Sequence, residues 1–187
     1  MITPLTLDSA HQGSSLRMKV ETLTSPVTFE ELVEMADDAG VKLEITGGIP
    51  TWEAFPGPRH QKEVLRVLVG FERTESPDCG CYQLPDTYIK FPDGSLKRPD
   101  IAIFGEEPPD QDEALEKIPE AVLEVLSKDY EKKDTEIGAP FYLEQGVKDV
   151  ILFNPRTREV MHRRRDGDRL LKSPVTIELE CGCQITV

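Results

Sequence analysis

Basic residues are scarce in this 187-residue chain: 22 lysines and arginines stand against 35 aspartates and glutamates, for a formal net charge of −13. That balance excludes a protein that coats nucleic acid or an anionic membrane over its whole surface, although a local basic patch is still compatible with a polyanion. Long apolar runs are missing too. None approaches the ~18 residues needed to span a bilayer, and the polar first 27 residues carry no apolar core behind a basic start. The sequence therefore points to a cytoplasmic protein. Aromatics are sparse at 6 %, and Trp52 and Tyr130 suit packing better than base stacking. Cysteine is confined to two copies of one tripeptide, Cys79-Gly-Cys81 and Cys181-Gly-Cys183. In a reducing cytoplasm these are expected as thiols or metal ligands rather than disulfides. A four-cysteine zinc site ordinarily has two or more residues between paired ligands. The single glycine thus favours two edge-strand turns that carry cysteine over structural Zn²⁺ held by Cys79, Cys81, Cys181 and Cys183.

What is present suffices for one globular domain with a core, since 38 % of residues are hydrophobic. Residues 1–26 are expected as a loosely ordered leader and 27–187 as a single domain. Thr28 and Glu31 form a capping box for a helix that stops at Gly40. Segments 41–46 and 49–53 alternate around Gly47-Gly48, a hairpin signal. A second helix follows Pro58, with Val64, Val67, Leu68 and Phe71 as its apolar stripe and His60 on the same face. Segments 87–91 and 96–104 flank the turn Pro92-Asp93-Gly94. The acidic connection 105–119 is expected as a mobile surface loop. Strand 120–126, a helical stretch over 130–145 and strand 147–153 make a crossover between parallel strands. Segments 159–165 and 168–171, with further strands in 173–187, read as a β-meander. The order predicts an α/β (α+β) domain: a mixed central sheet flanked by helices, with a C-terminal meander.

Two of these strands carry a carboxylate where an apolar residue belongs: Asp100 at the head of Ile-Ala-Ile-Phe104, and Glu124 inside Ala121-Val-Leu-Glu-Val-Leu126. Burying an ionised carboxylate costs several kcal/mol unless a partner neutralises it, so a shared cation is the natural solution. Alternation places Asp100 with Ala102 and Phe104, and Glu124 with Val122 and Leu126. Oxygen-only ligation of this kind suits Mg²⁺ or Mn²⁺. A lysine completes such a site, from Lys128, Lys132 or Lys133; Lys133 is preferred because it shares a helical stripe with Tyr130, Ile137 and Phe141. Plainer explanations exist for each. Asp100 also fits a turn aspartate paired with Arg98 or an N–H group, and Glu124 a metal-free ion pair with Lys133. Lys42 and Glu44 alternate with Val41, Leu43 and Ile45 as a solvent face does. Arg163 and Arg165 share one face of a basic strand and could grip phosphates, or simply protect a sheet edge.

Taken in order, these segments resemble the PD-(D/E)XK nuclease superfamily, and more closely the Uma-type putative restriction endonucleases, a group mostly of unknown function. The matching pieces are Leu43-Glu44-Ile45 with its Gly-Gly hairpin, His60-Gln61, RPDIAIF, VLEVLS, YEKKD and FYLEQGVKDVILFNP. The resemblance implies a restriction-endonuclease-like core with its active site where the two acidic strands diverge. Asp100 and Glu124 would ligate Mg²⁺, Glu44 would add an acidic ligand or a supporting group, and His60 would line the site. One departure stands out. The superfamily lysine normally lies two residues after the second acid, where this chain has Leu126; relatives that carry it on the next helix match Lys133. The expected activity is Mg²⁺-dependent hydrolysis of DNA, with a homodimer suited to cutting both strands. The alternative is a catalytically silent nuclease-fold module for binding or assembly.

Overall fold

The computed structural model describes residues 5–6, 19–20, 28–72, 80–127 and 133–187. The chain divides into two compact units, Met1–Leu43 and Glu44–Val187. In the first, β1 (Leu5–Thr6) and β2 (Lys19–Val20) pair antiparallel, and the rest of the anticipated leader lies outside the described residues. Helix α1 (Phe29–Asp38) opens on the capping box: Thr28 Oγ1 accepts from the Glu31 N–H, and the Glu31 carboxylate accepts from the Thr28 N–H at 2.7 Å. Strand β3 (Val41–Thr46) crosses the boundary, and its Glu44–Thr46 end opens the second unit.

Gly47 and Gly48, with φ of +56° and +80°, supply the left-handed conformation that a tight hairpin turn needs, and β4 (Ile49–Ala54) returns as expected. Helix α2 (Pro58–Val69) starts with proline in its first turn, where a missing N–H costs nothing. His60, Val64 and Val67 lie along one face, and both valines are buried. The helix stops at Gly70, so Phe71 belongs to β5 (Phe71–Glu72) rather than to the helical stripe.

Strands β6 (Tyr82–Pro85), β7 (Ile89–Lys90), β8 (Leu96–Lys97) and β9 (Ile101–Phe104) follow. The sequence suggested one strand over 96–104; the structure has two, in different sheets. Pro99 offers no N–H to a ladder, so pairing breaks at Arg98-Pro99-Asp100. The 105–119 connection is pinned at its centre, contrary to the expectation of a free loop. Leu115 is buried, its N–H donates to the Tyr88 carbonyl at 2.9 Å, and its carbonyl accepts from the Lys90 N–H at 2.8 Å. Strand β10 (Ala121–Val125), a π-helical turn (Lys133–Gly138), α3 (Ala139–Glu144), β11 (Asp149–Asn154), β12 (Glu159–Arg164), β13 (Gly167–Lys172), β14 (Thr176–Glu178) and β15 (Gln184–Thr186) complete the chain.

The main sheet runs β13-β12-β11-β10-β9-β6. Only its β10–β11 pair is parallel, joined by the crossover through α3, which makes the mixed sheet of an α+β fold. A second sheet holds β4, the Glu44–Thr46 end of β3, β8 and β7, and a third holds β14, β15 and β5. Alternation sorts the main sheet's side chains into two cores. Ile101, Ile103, Leu123, Val125, Ile151 and Phe153 meet Val64 and Val67 of α2 and the C-terminal hairpin. Ala102, Phe104, Val122, Val150 and Leu152 meet Phe141 and Tyr142 of α3. Each large apolar side chain so buried contributes ~1.5–3 kcal/mol, which makes the β9–β10 platform rigid. Asp100 and Glu124 stand at its end.

Candidate active site

The antiparallel ladder between β9 and β10 ends at Ile101 opposite Leu123. The next pair in register is Asp100 opposite Glu124, just where Pro99 has stopped main-chain pairing. The two carboxylates finish the ladder instead. The Val125 N–H donates to Asp100 Oδ2 at 2.7 Å, and the Asp100 N–H donates to Glu124 Oε2 at 3.2 Å. Both side chains leave the sheet on the Ala102/Val122 face, as alternation requires. Neighbouring helices then fix them. His60 Nε2 of α2 lies 3.0 Å from Asp100 Oδ2, and the Tyr142 hydroxyl of α3 donates to Glu124 Oε1 at 2.9 Å. Burial, followed by the charges of Glu124 and Glu44, pushes the Tyr142 pKa well above its ordinary value, so this group stays a hydroxyl donor. Arg98 has a partner besides the anticipated Asp100. It grips both oxygens of Asp86, at 2.9 and 3.0 Å, and stacks 4.7 Å over the Tyr88 ring.

Glu44 corrects the solvent-face expectation: it is 1 % exposed. A buried carboxylate needs compensation, and Oε2 receives Lys97 Nζ at 2.6 Å and Lys133 Nζ at 2.9 Å while Oε1 receives the Arg98 N–H at 3.0 Å. Lys133 also contacts Glu53, and Asp134 at 3.4 Å. Its described contacts therefore fall on Glu44, Glu53 and Asp134 rather than on Asp100 or Glu124. The segment that carries it is a π-helical turn, not a regular α-helix, which is why the anticipated stripe fails at Ile137 (53 % exposed) while Phe141 stays buried. Lys128, Tyr130 and Lys132 lie outside the described residues.

Sequence reasoning passed over Lys97, Glu53, Asp134 and Tyr142. Lys97 had a signal, as a lysine inside the segment read as a strand over 96–104; Tyr142, next to Phe141 in an apolar stretch, carried none. Burial raises the carboxyl pKa of Asp134, Lys133 opposes that shift, and the charges of Glu44 and Asp100 add to it. Five carboxylates, from Glu44, Glu53, Asp100, Glu124 and Asp134, thus share this region with the two ammonium groups of Lys97 and Lys133. An oxygen-rich set with excess negative charge fits a hard divalent cation.

The basic strand touches the turn that carries Lys133 through a main-chain carbonyl. Arg163 donates to Asp168 at 3.0 Å and to the Thr135 carbonyl at 3.1 Å, and Arg165 to the Leu143 carbonyl at 3.2 Å. With Pro140, Leu143 and Glu144 they line an open cleft of about 750 Å³. Arg164 points the other way, to Asp149 and the Glu178 carbonyl. The cysteines depart from both expectations, of separate turns and of thiols or metal ligands rather than disulfides: Cys81 and Cys183 are joined as a disulfide, and Cys181 Sγ lies 3.4 Å from Cys81 Sγ. The hairpin between β14 and β15 brings them together; Cys79 lies outside the described residues.

A family model described as putative restriction endonuclease, Uma2, matches residues 29–181. Among solved structures, the chain is similar to a putative nuclease belonging to DUF820 from Anabaena variabilis ATCC 29413. The TM-score is 0.60 at 17 % identity, over 81 % of this chain and 88 % of that one; at that identity the likeness shows the fold. No curated protein matches. Among the described residues, no helix is long and apolar enough to cross a membrane.

Proposed function

This chain belongs to the Uma2 family of putative restriction endonucleases, and we propose on that premise that it is a Mg²⁺-dependent endonuclease that hydrolyses DNA phosphodiester bonds with water. The observation that carries the proposal is the reciprocal capping of β9 and β10 by Asp100 and Glu124, in which the Asp100 N–H donates to Glu124 and the Val125 N–H donates to Asp100. Asp100 and Glu124 hold Mg²⁺ (or Mn²⁺). Such an ion, when bound, lowers the pKa of its water and offsets charge developing on a phosphate. The chain's own residues supply the rest. The Val125 N–H and His60 fix Asp100, while Tyr142 and the Asp100 N–H fix Glu124, so neither carboxylate must reorganise when DNA arrives. Glu44 holds the Lys133 ammonium in place to offset phosphate charge, and Lys97 balances the buried Glu44. Arg163 and Arg165 grip phosphates farther along the duplex. A cytoplasmic homodimer suits the task, because two-fold symmetry matches the two strands.

Plasmid DNA incubated with the purified protein and Mg²⁺ or Mn²⁺, beside Asp100→Ala, tests this reading. Nicking or linearisation is expected from the wild type and not from the variant; cleavage that persists in Asp100→Ala sinks it. A second reading, a catalytically silent module for binding or assembly, is favoured by Leu126 in the usual lysine position and by the engagement of Lys133 with Glu44, Glu53 and Asp134. It predicts no cleavage with any metal and no metal-dependent rise in melting temperature.

A further inference from the structure

We infer that Cys81, Cys181 and Cys183 form a zinc site, separate from the carboxylate centre, that staples the C-terminal hairpin to the edge of the main sheet. The β14–β15 turn presents two of the ligands. Gly182, at φ +84°, donates its N–H to the Leu179 carbonyl at 2.9 Å, and the Leu179 N–H donates to the Cys183 carbonyl at 2.8 Å, which closes a tight loop with Cys181 and Cys183 on either side of the glycine. Cys81 leads into β6, and its position is set by close packing: a Cβ on the preceding Gly80 would meet the Gly105 carbonyl oxygen at 3.0 Å.

The three sulfurs all lie within 4.8 Å of one another. Tetrahedral ligation with Zn–S bonds of ~2.3 Å places ligand sulfurs ~3.8 Å apart, so small side-chain rotations close the site. Cys81 and Cys183 are fully buried and Cys181 partly so, a shielded thiol-rich setting that soft-ligand metals select. The sequence carries one more cysteine, Cys79, one glycine before Cys81.

The Cys81–Cys183 bond is the oxidised, metal-free alternative of the same cluster. A cellular dithiol gives it two electrons and two protons and becomes a disulfide itself, which leaves three thiols; Zn²⁺ then displaces three protons as three Zn–S bonds form. The single-glycine spacing that counts against zinc is met here by the turn itself, which already holds both sulfurs of Cys181-Gly-Cys183 within 4.8 Å of each other and of Cys81 Sγ.

Full-length protein purified under a thiol reductant and without chelator is expected to carry about one zinc per chain by elemental analysis. Replacement by Co²⁺ should give thiolate-to-metal charge-transfer absorption, which a carboxylate site cannot produce. Cys181→Ser is the decisive variant, because Cys181 is not part of the disulfide. It should abolish that absorption and weaken Zn²⁺ binding by at least ~100-fold, since outer partners alone are worth about 10–100-fold. The inference is overturned if the reduced chain takes up no zinc. It also fails if Cys181→Ser binds zinc like the wild type, or if protein trapped by alkylation in anaerobic cytosol carries the Cys81–Cys183 bond.

Discussion

Tyr142 shows how a single hydroxyl can hold a carboxylate of the proposed metal site. Wholly buried, it gives its hydroxyl hydrogen to Glu124 Oε1. Removing it leaves a buried acceptor short of a donor, which costs ~1–3 kcal/mol. Tyr142→Phe should therefore lower urea-unfolding stability by about that amount, and a larger loss of metal affinity than of stability would confirm its orienting role. Lys97 and Lys133 separate in the same way. Lys97 is buried with Glu44, so Lys97→Met should destabilise by ~3–5 kcal/mol, the usual penalty for stranding a buried charge. Lys133 reaches the same oxygen from a more exposed position. Lys133→Met is expected to destabilise less than Lys97→Met, because Glu44 keeps Lys97, and to lose DNA cleavage by far more than that loss of stability accounts for, read as denaturation curves beside cleavage rates. At this scale Asp100 and Glu124 were legible, because an acid at the head of or inside an apolar strand is an anomaly. Glu44 was not. Its alternation with Lys42 imitates a solvent face, and the lysines and amide that make its burial tolerable come from about 50 and 90 residues away in sequence.

Among the elements, β11 depends on the acid at its head. Asp149 is buried; desolvation pushes its carboxyl pKa up, but hydrogen bonds from His162, the Glu180 N–H and Arg164 outweigh that and hold it below the ordinary value. Its folded pKa thus lies below the ~3.9 of the unfolded chain. The stabilisation is complete above the unfolded value and is lost as pH falls through the folded one. Stability should fall steeply below pH ~4, and Asp149→Asn should flatten that dependence in urea titrations at several pH values. The third sheet has its own weak point at Gly70, where an added Cβ would stand 2.8 Å from the Thr186 carbonyl oxygen. Gly70→Ala should cost ~1–3 kcal/mol by overpacking, with faster hydrogen exchange at the Thr186 amide, which donates to the Gly70 carbonyl. The Gly-Gly hairpin, the parallel crossover and the meander were readable from turn residues and periodicity. The break at Pro99 had a signal that the reading of one strand over 96–104 passed over, since proline cannot donate to a ladder; the π-helical turn had none, because it shifts side-chain phase by an amount that a 3.6-residue period conceals.

For the whole molecule, a net charge of −13 must be reconciled with the proposed polyanionic substrate. At ordinary salt, charges more than ~8–10 Å away are screened, so the local field at the carboxylates and at Arg163 and Arg165 decides the outcome. Family membership and fold carry the nuclease reading up to this site, and no fold fixes an activity by itself. The direct test is single-turnover cleavage of a labelled DNA duplex across a Mg²⁺ titration, run on the wild type, Asp100→Asn and Glu124→Gln with matched unfolding curves. The account predicts metal-dependent cutting that falls by at least ~10³-fold in each isosteric variant, a loss of about 4 kcal/mol of transition-state stabilisation. Undiminished cutting by either variant, or a folded wild type inert with both Mg²⁺ and Mn²⁺, would contradict it.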